Sequence, residues 1–232
     1  MARIVVPVTV LKGETVSAGL MNLLGTMDVT VLGYHVVPDQ TAPDQARDQY
    51  EDRARSALED ITQEFRQAGG DADYLLVFTH DRQKTIRRVA DETNASAIAT
   101  TGATGDVERI LVSLTGDVAV ERILGFVTDL IGDRPIGVTL FVAGTETDDV
   151  RHLLEQSANQ LTDTGIDVRT DVSTGPPFEA LLEAVPGHDA IVVGEKAPSL
   201  TSLLFGEESD RIASASVGPV IAVRNSDRRT SP

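Results

Sequence analysis

Residues 190–224 read Ala190-Ile-Val-Val-Gly194-Glu-Lys-Ala-Pro-Ser-Leu-Thr-Ser-Leu-Leu-Phe-Gly206-Glu-Glu-Ser-Asp-Arg-Ile-Ala-Ser-Ala-Ser-Val-Gly-Pro219-Val-Ile-Ala-Val-Arg224. Two short apolar runs, Ala190 to Gly194 and Val220 to Arg224, lack the alternation of a half-exposed strand. Continuous apolar strands of this kind are buried on both faces of a parallel sheet. The first run stops on a glycine and the second is entered through Gly218-Pro219, both of which turn the chain. Between them Glu207 to Ala215 fits a helix. Strand, loop, helix and strand make one unit of an α/β fold.

Upstream, the same alternation fills the chain. Further strands are predicted at Ile4 to Val8, Val29 to Val36, Tyr74 to His80, Ala97 to Thr101, Ile110 to Leu114, Ile136 to Ala143 and Val168 to Thr174, nine in all. Helical stripes lie between them. Tyr50, Ala54, Ala57, Leu58, Ile61 and Phe65 recur at steps of three and four and end at Gly69-Gly70. Val150, Leu153, Leu154, Ala158 and Leu161 repeat the pattern before Gly165, and Val120, Ile123, Leu124, Val127 and Leu130 form a third stripe. Shorter helices fit Lys84 to Thr93 and Phe178 to Val185, the second opened by Pro176-Pro177.

Laid in order, the elements repeat: strand, helix, strand, helix, strand, short helix, and a fourth strand that ends near Gly102 in one copy and on Gly194 in the other. Duplication of a domain is more economical than nine unrelated strands. The expected division is 1–106 and 107–226. Only the second copy continues into a further helix and fifth strand, so the first is expected to lack both and to leave a sheet edge that something covers. Ile110 to Leu114 either opens the second copy or closes the first; Gly116-Asp117 and the helix after it favour an opening strand.

Composition restricts the function classes. Aromatics are only 4% of the chain, so stacking platforms for bases are scarce, and a net charge of -16 repels nucleic acid and anionic membranes alike. There is no cysteine, no basic-then-apolar leader and no apolar run approaching the roughly 20 residues of a membrane helix, which places the expectation in the cytoplasm. Lysine occurs only at Lys12, Lys84 and Lys196, and the carboxylates are spread evenly. Concentrated salt screens the self-repulsion of such a surface, so a halophilic source is expected.

The stretch 190–224 resembles the C-terminal signature of the universal stress protein family: a strand ending in glycine, Leu-Leu-x-Gly, a helix with an acid and Arg pair, a Gly-Pro turn and a last strand. Ile110-Leu-Val-Ser-Leu-Thr-Gly-Asp117 similarly resembles that family's opening strand and loop. The resemblance implies α/β architecture with two tandem doubly wound parallel-sheet domains, adenine-nucleotide alpha-hydrolase-like, packed as a pseudo-twofold pair. It also implies a candidate site for ATP or AMP. Nucleotide-binding members carry G-x2-G-x9-G-S/T after the fourth strand and an Asp ending the first. Glycines let backbone N–H groups approach the phosphates, and the helix N-terminus adds partial positive charge.

This chain departs from that pattern. Gly194 matches the first glycine, Ala197 replaces the second, Gly206 comes one residue early, and Glu207 stands where Ser or Thr belongs. Thr115 replaces the opening-strand Asp, ahead of Gly116. In the first copy Thr9 holds the Asp position, and Gly102-Ala-Thr-Gly105 is a remnant of the loop that a plain surface turn would also explain. Glu207 and Glu208 at a helix start would stabilise the helix internally and repel a triphosphate.

Enzyme readings find no reactive constellation. The sequence has no G-x-S-x-G elbow and no Walker A motif. His35 and His80 fall near the carboxyl ends of their strands, where parallel sheets bind ligands. His152 lies on a helix and His188 in a loop, and no pair has metal-ligand spacing. The acids Glu51, Asp52, Glu59, Asp60 and Glu64 interleave with arginines as a solvated, ion-paired helix face. The expected function is a non-catalytic stress-response or regulatory protein, an interaction module with a degenerate nucleotide site, no cofactor, and a homo-oligomeric or protein partner. The alternative is an ATP- or AMP-binding protein in which Lys196, Ser199 and the backbone around Gly194 and Gly206 make the contacts.

Overall fold

A computed structural model describes residues 2–38, 40, 43–116, 118–197 and 218–225. The helix expected over 207–215 lies outside them, as do Asp117, Ser199, Gly206 and Glu207. The first four strands are β1 (Arg3–Val8), β2 (Asp28–Val36), β3 (Asp71–Thr79) and β4 (Ala97–Ala99). They alternate with a 3-10 turn (Val10–Lys12), α1 (Ala18–Leu23), α2 (Pro43–Gln67) and α3 (Arg82–Glu92). The remaining strands are β5 (Arg109–Ser113), β6 (Gly137–Ala143), β7 (Val168–Ser173), β8 (Ala190–Gly194) and β9 (Val220–Val223). Among these run α4 (Val120–Ile131), α5 (Asp148–Thr162) and α6 (Pro177–Ala184).

All nine strands join one sheet, ordered β3-β2-β1-β4-β9-β8-β5-β6-β7. Pairing is parallel everywhere except between β4 and β9. Read outward from that junction, β1 to β4 and β5 to β8 repeat one strand order, and β9 is the extra strand. β5 pairs with β6 and β8, so Ile110 to Leu114 opens the second half. The edge that the first half lacks a fifth strand to cover is covered by β9, with Ala97, Ile98 and Ala99 opposite Val223, Ala222 and Ile221. Thr100 extends the seam: its amide donates to the Val220 carbonyl (2.9 Å), and its hydroxyl accepts from the Val220 amide (3.0 Å).

Central strands are apolar on both faces because both faces are covered. α1, α2, α4 and α5 bury Leu20, Leu58, Phe65, Leu124, Leu130 and Leu161 on one side, with Ile4, Val31, Val112 and Leu140 from the sheet. On the other, α3 buries Ile86 and Val89 against Val5, Leu32 and Ile98, and α6 buries Ala180 and Leu181 against Leu111 and Phe141. Each Val, Leu, Ile or Phe among them contributes about 1.5–3 kcal/mol on leaving water.

Two arginines tie the halves together. Arg224, at the end of β9, is buried and donates to the carbonyls of Ala90 (2.9 Å) and Ala95 (3.2 Å) at the end of α3, and it pairs with Asp91. Arg134, after α4, donates to Ile131 O (3.0 Å), Leu130 O and, across the halves, Leu23 O (2.9 Å) at the end of α1. A guanidinium at a helix C-terminus satisfies orphan carbonyls and opposes the negative end of the dipole. Burial pushes the Arg134 guanidinium below the usual arginine value.

Candidate functional site

Parallel sheets bind ligands beyond the carboxyl ends of strands where the strand order reverses. This sheet has two such points, between β1 and β4 and between β5 and β8. Thr9, Gly102 and Gly105 follow β1 and β4 at the first. Thr115 and Gly116 follow β5, Gly194 ends β8 and Lys196 follows it at the second. The fold therefore gathers the described candidates into two crevices.

The first crevice is occupied by the chain itself. After β1 the 3-10 turn ends on Gly13 at φ 71°, a left-handed conformation that reverses the chain and returns Glu14 over the strand end. Its carboxylate accepts from the Thr9 amide at 2.6 Å and from the Thr101 hydroxyl. These are donors that a bound anion would use. The Thr9 hydroxyl is bonded to the Tyr34 hydroxyl (3.0 Å), and the Arg82 guanidinium lies over the Tyr34 ring, 5.5 Å from its centroid. Ser17 caps α1 by accepting from Leu20 N (3.4 Å) and donates to Gly102 O (3.0 Å).

Packing explains Gly102, while Gly105 has open space around its own Cα and instead crowds Gly19. A Cβ on Gly102 would come within 2.4 Å of Pro219 N and 2.5 Å of Gly218 C, because the entry to β9 crosses directly over it. The Gly105 carbonyl sits so close to Gly19 that a Cβ there would stand 1.8 Å from it. A carbonyl oxygen, with its partial negative charge, thus rests against the first turn of α1, where a phosphate would otherwise gain from the helix dipole.

At the second crevice Thr115 is buried, and its hydroxyl accepts from the Ala143 amide (2.8 Å) and from Ser113 Oγ (3.2 Å). Gly194 is overlaid by Val118, whose Cγ1 would lie 2.7 Å from an added Cβ. Glu195 accepts from Asn225 N (3.2 Å) and faces Arg224 Nε at 3.8 Å, while Gly116 and Lys196 are exposed.

The four histidines serve packing or solvent. His35 sits against Tyr50 and Phe78 with ring centroids 5.9 and 6.1 Å away, and His80 Nδ1 lies 3.1 Å from Val37 O. His188 spans Val185 O (3.3 Å) and the Thr139 hydroxyl (2.8 Å), both satisfied by the Nδ1–H tautomer. His152 is exposed on α5. No cluster of His, Asp and Glu among the described residues has metal-site geometry.

A cavity of about 920 Å³ opens at the opposite, amino edge of β5 to β8, which sequence reasoning did not single out. Several of its charges have partners: Arg109 donates to Asp167 and Val138 O, Arg134 to carbonyls, and Asp189 accepts from the amides of Glu108 and Arg109. Glu14 was also missed. Its signal was a glycine one position earlier, directly after the turn that follows the strand.

No protein-family model matches the chain, and no curated protein matches it in sequence. Solved structures match its fold. A universal stress protein from Archaeoglobus fulgidus superposes with a TM-score of 0.67 at 15% identity, over 97% of this chain and 97% of its own. The cytoplasmic domain of a prokaryotic cation chloride cotransporter gives a TM-score of 0.53 at 13% identity, over 95% and 94%. A Pseudomonas aeruginosa chain assigned to the universal stress proteins gives 0.53 at 12% identity, over 97% and 93%. At such identities the likeness is one of fold, and it extends across nearly the whole length. The chain carries the mostly parallel α/β fold of the universal stress proteins.

Proposed function

We propose that the chain is a non-catalytic stress-response or regulatory protein of universal stress protein type. In this reading it is two tandem copies of one domain, 1–106 and 107–226, paired about a pseudo-twofold axis, with degenerate nucleotide sites. It acts as an interaction module in the cytoplasm of a halophile, without a cofactor. The observation that carries this reading is the carboxylate of Glu14, bonded to the Thr9 amide and the Thr101 hydroxyl in the first crevice. Val118 over Gly194 supports it in the second. An anion entering the first crevice meets a like charge and finds both donors already satisfied.

No helix among the described residues is long and apolar enough to cross a membrane. Calorimetric titration with ATP, AMP and cyclic AMP at high salt tests the proposal. Absence of binding is expected. Micromolar affinity for any of the three overturns it in favour of a nucleotide-binding protein using Lys196, Ser199, Gly206 and the backbone near Gly194.

A further inference from the structure

The two outer strands of the sheet are built differently. β7 is six residues long and exposes Arg169, Thr170 and Asp171, charges and a hydroxyl that blunt an edge. β3 is nine residues long, without proline, and after Asp71 and Asp73 it reads Tyr74-Leu-Leu-Val-Phe-Thr79. Leu75 is 40% exposed, and with Val36 (45%) on the neighbouring strand it is one of two large apolar side chains so open among the described residues. No described strand pairs with the outer edge of β3.

We propose that this edge is the site of self-association, in which β3 pairs antiparallel with β3 of a second copy and the two sheets become continuous. Backbone direction is consistent with this. The Thr79 carbonyl accepts from Val37 on the β2 side, so the alternate residues Tyr74, Leu76 and Phe78 turn their N–H and C=O groups outward. A two-fold axis at Leu76 sets Leu76 opposite Leu76 and Tyr74 opposite Phe78 as hydrogen-bonded pairs, about six bonds in all. Leu75 then faces Val77, and Asp73 faces Thr79.

In that register no charge opposes an apolar side chain, and the Asp73 residues of the two copies stand about 20 Å apart along the strands. Centring one residue earlier would set Asp73 against Val77. Pairing β3 with another copy's β7 would oppose its apolar run with Arg169 and Asp171, and such a head-to-tail contact would not close. The two-fold contact closes, and this sheet already contains one antiparallel edge junction, between β4 and β9. Two chains of net charge -16 repel each other, so association should strengthen with salt as the screening length shrinks.

Sedimentation of the full chain at low and high salt, combined with amide exchange, tests this. A dimer is expected at high salt, with the amides of Tyr74, Leu76 and Phe78 gaining protection as concentration rises. The Leu75 and Val77 amides, which face β2, should not change. Leu75→Lys, at an exposed position, should weaken the dimer roughly tenfold or more, because the axis repeats the lost pair twice. If that variant fails to fold, the exchange pattern of the wild type decides. A monomer under all conditions overturns the proposal and leaves the edge to a strand of another protein, and so does a dimer in which the amides of 74, 76 and 78 exchange freely.

Discussion

Arg224→Met removes the charge that joins the end of β9 to the end of α3 while keeping most of the apolar stem. Arg224 is 6% exposed, and its Nη1 donates to both Ala90 O and Ala95 O. Charge-assisted bonds to carbonyls contribute about 1.5 kcal/mol each at the low end of their range, and opposing the dipole of α3 adds about 0.5 kcal/mol. Relief from holding a guanidinium out of water offsets about 1 kcal/mol. Asp91, 67% exposed as a side chain, regains water at little cost. The expected net loss is about 2–3 kcal/mol, which for a chain of this length lowers the melting temperature by roughly 5–10 °C. Guanidinium unfolding measures it, with Arg151→Met as control. Arg151 is half exposed and, among the described residues, pairs with Glu146 and Asp148, so its loss should stay within about 0.5 kcal/mol. An Arg224→Met loss no larger than the control's would refute the idea that this side chain holds the halves together.

Glycine substitutions separate packing from ligand roles. Gly102→Ala should cost about 3 kcal/mol in thermal unfolding because its Cβ meets backbone at Gly218-Pro219, whereas Gly105→Ala, with open space, should stay within about 0.5 kcal/mol. Gly194→Ala should destabilise by about 1–2 kcal/mol, and adding Val118→Ala should recover roughly 1 kcal/mol of that in a double-mutant cycle. Arg109 bonds to Asp167 and holds its carboxyl below the usual value. The stabilisation from that pair is present above the ordinary Asp range and disappears as pH falls through the lowered value. Wild type and Asp167→Asn should therefore converge in acid when their unfolding is followed against pH, and a difference that grows in acid would contradict the pairing.

Much of the fold was legible because buried parallel strands are apolar without alternation, and β1, β5, β8 and β9 all show it. The long stripe from Tyr50 to Phe65 marked α2, though α2 begins earlier, at Pro43, where the small buried Ala46, one turn ahead of Tyr50, is a weak signal. β3 begins three residues ahead of the expected Tyr74, because ladder bonds to β2 carry Asp71 and Asp73 into the strand against their own preference. The unequal length of the two halves was readable from the missing elements after Gly105. What fills the gap was not, since the pairing of Ala97 to Ala99 with Ile221 to Val223 joins segments more than 120 residues apart. Motif position picks out residues that follow β1, β4, β5 and β8, yet Glu14 and Val118 carry no motif. Their roles arise only once turns and sheet order bring them over Thr9 and Gly194.

A carboxylate of the chain itself closes the first crevice, and the Thr9 amide reports on it directly. Amide exchange at Thr9, followed with and without ATP at high salt, should show a slowly exchanging N–H, bonded to Glu14, whose rate the nucleotide leaves unchanged. A Thr9 amide that exchanges like an open loop, or one that becomes protected only when ATP is added, would show that Glu14 does not close the crevice.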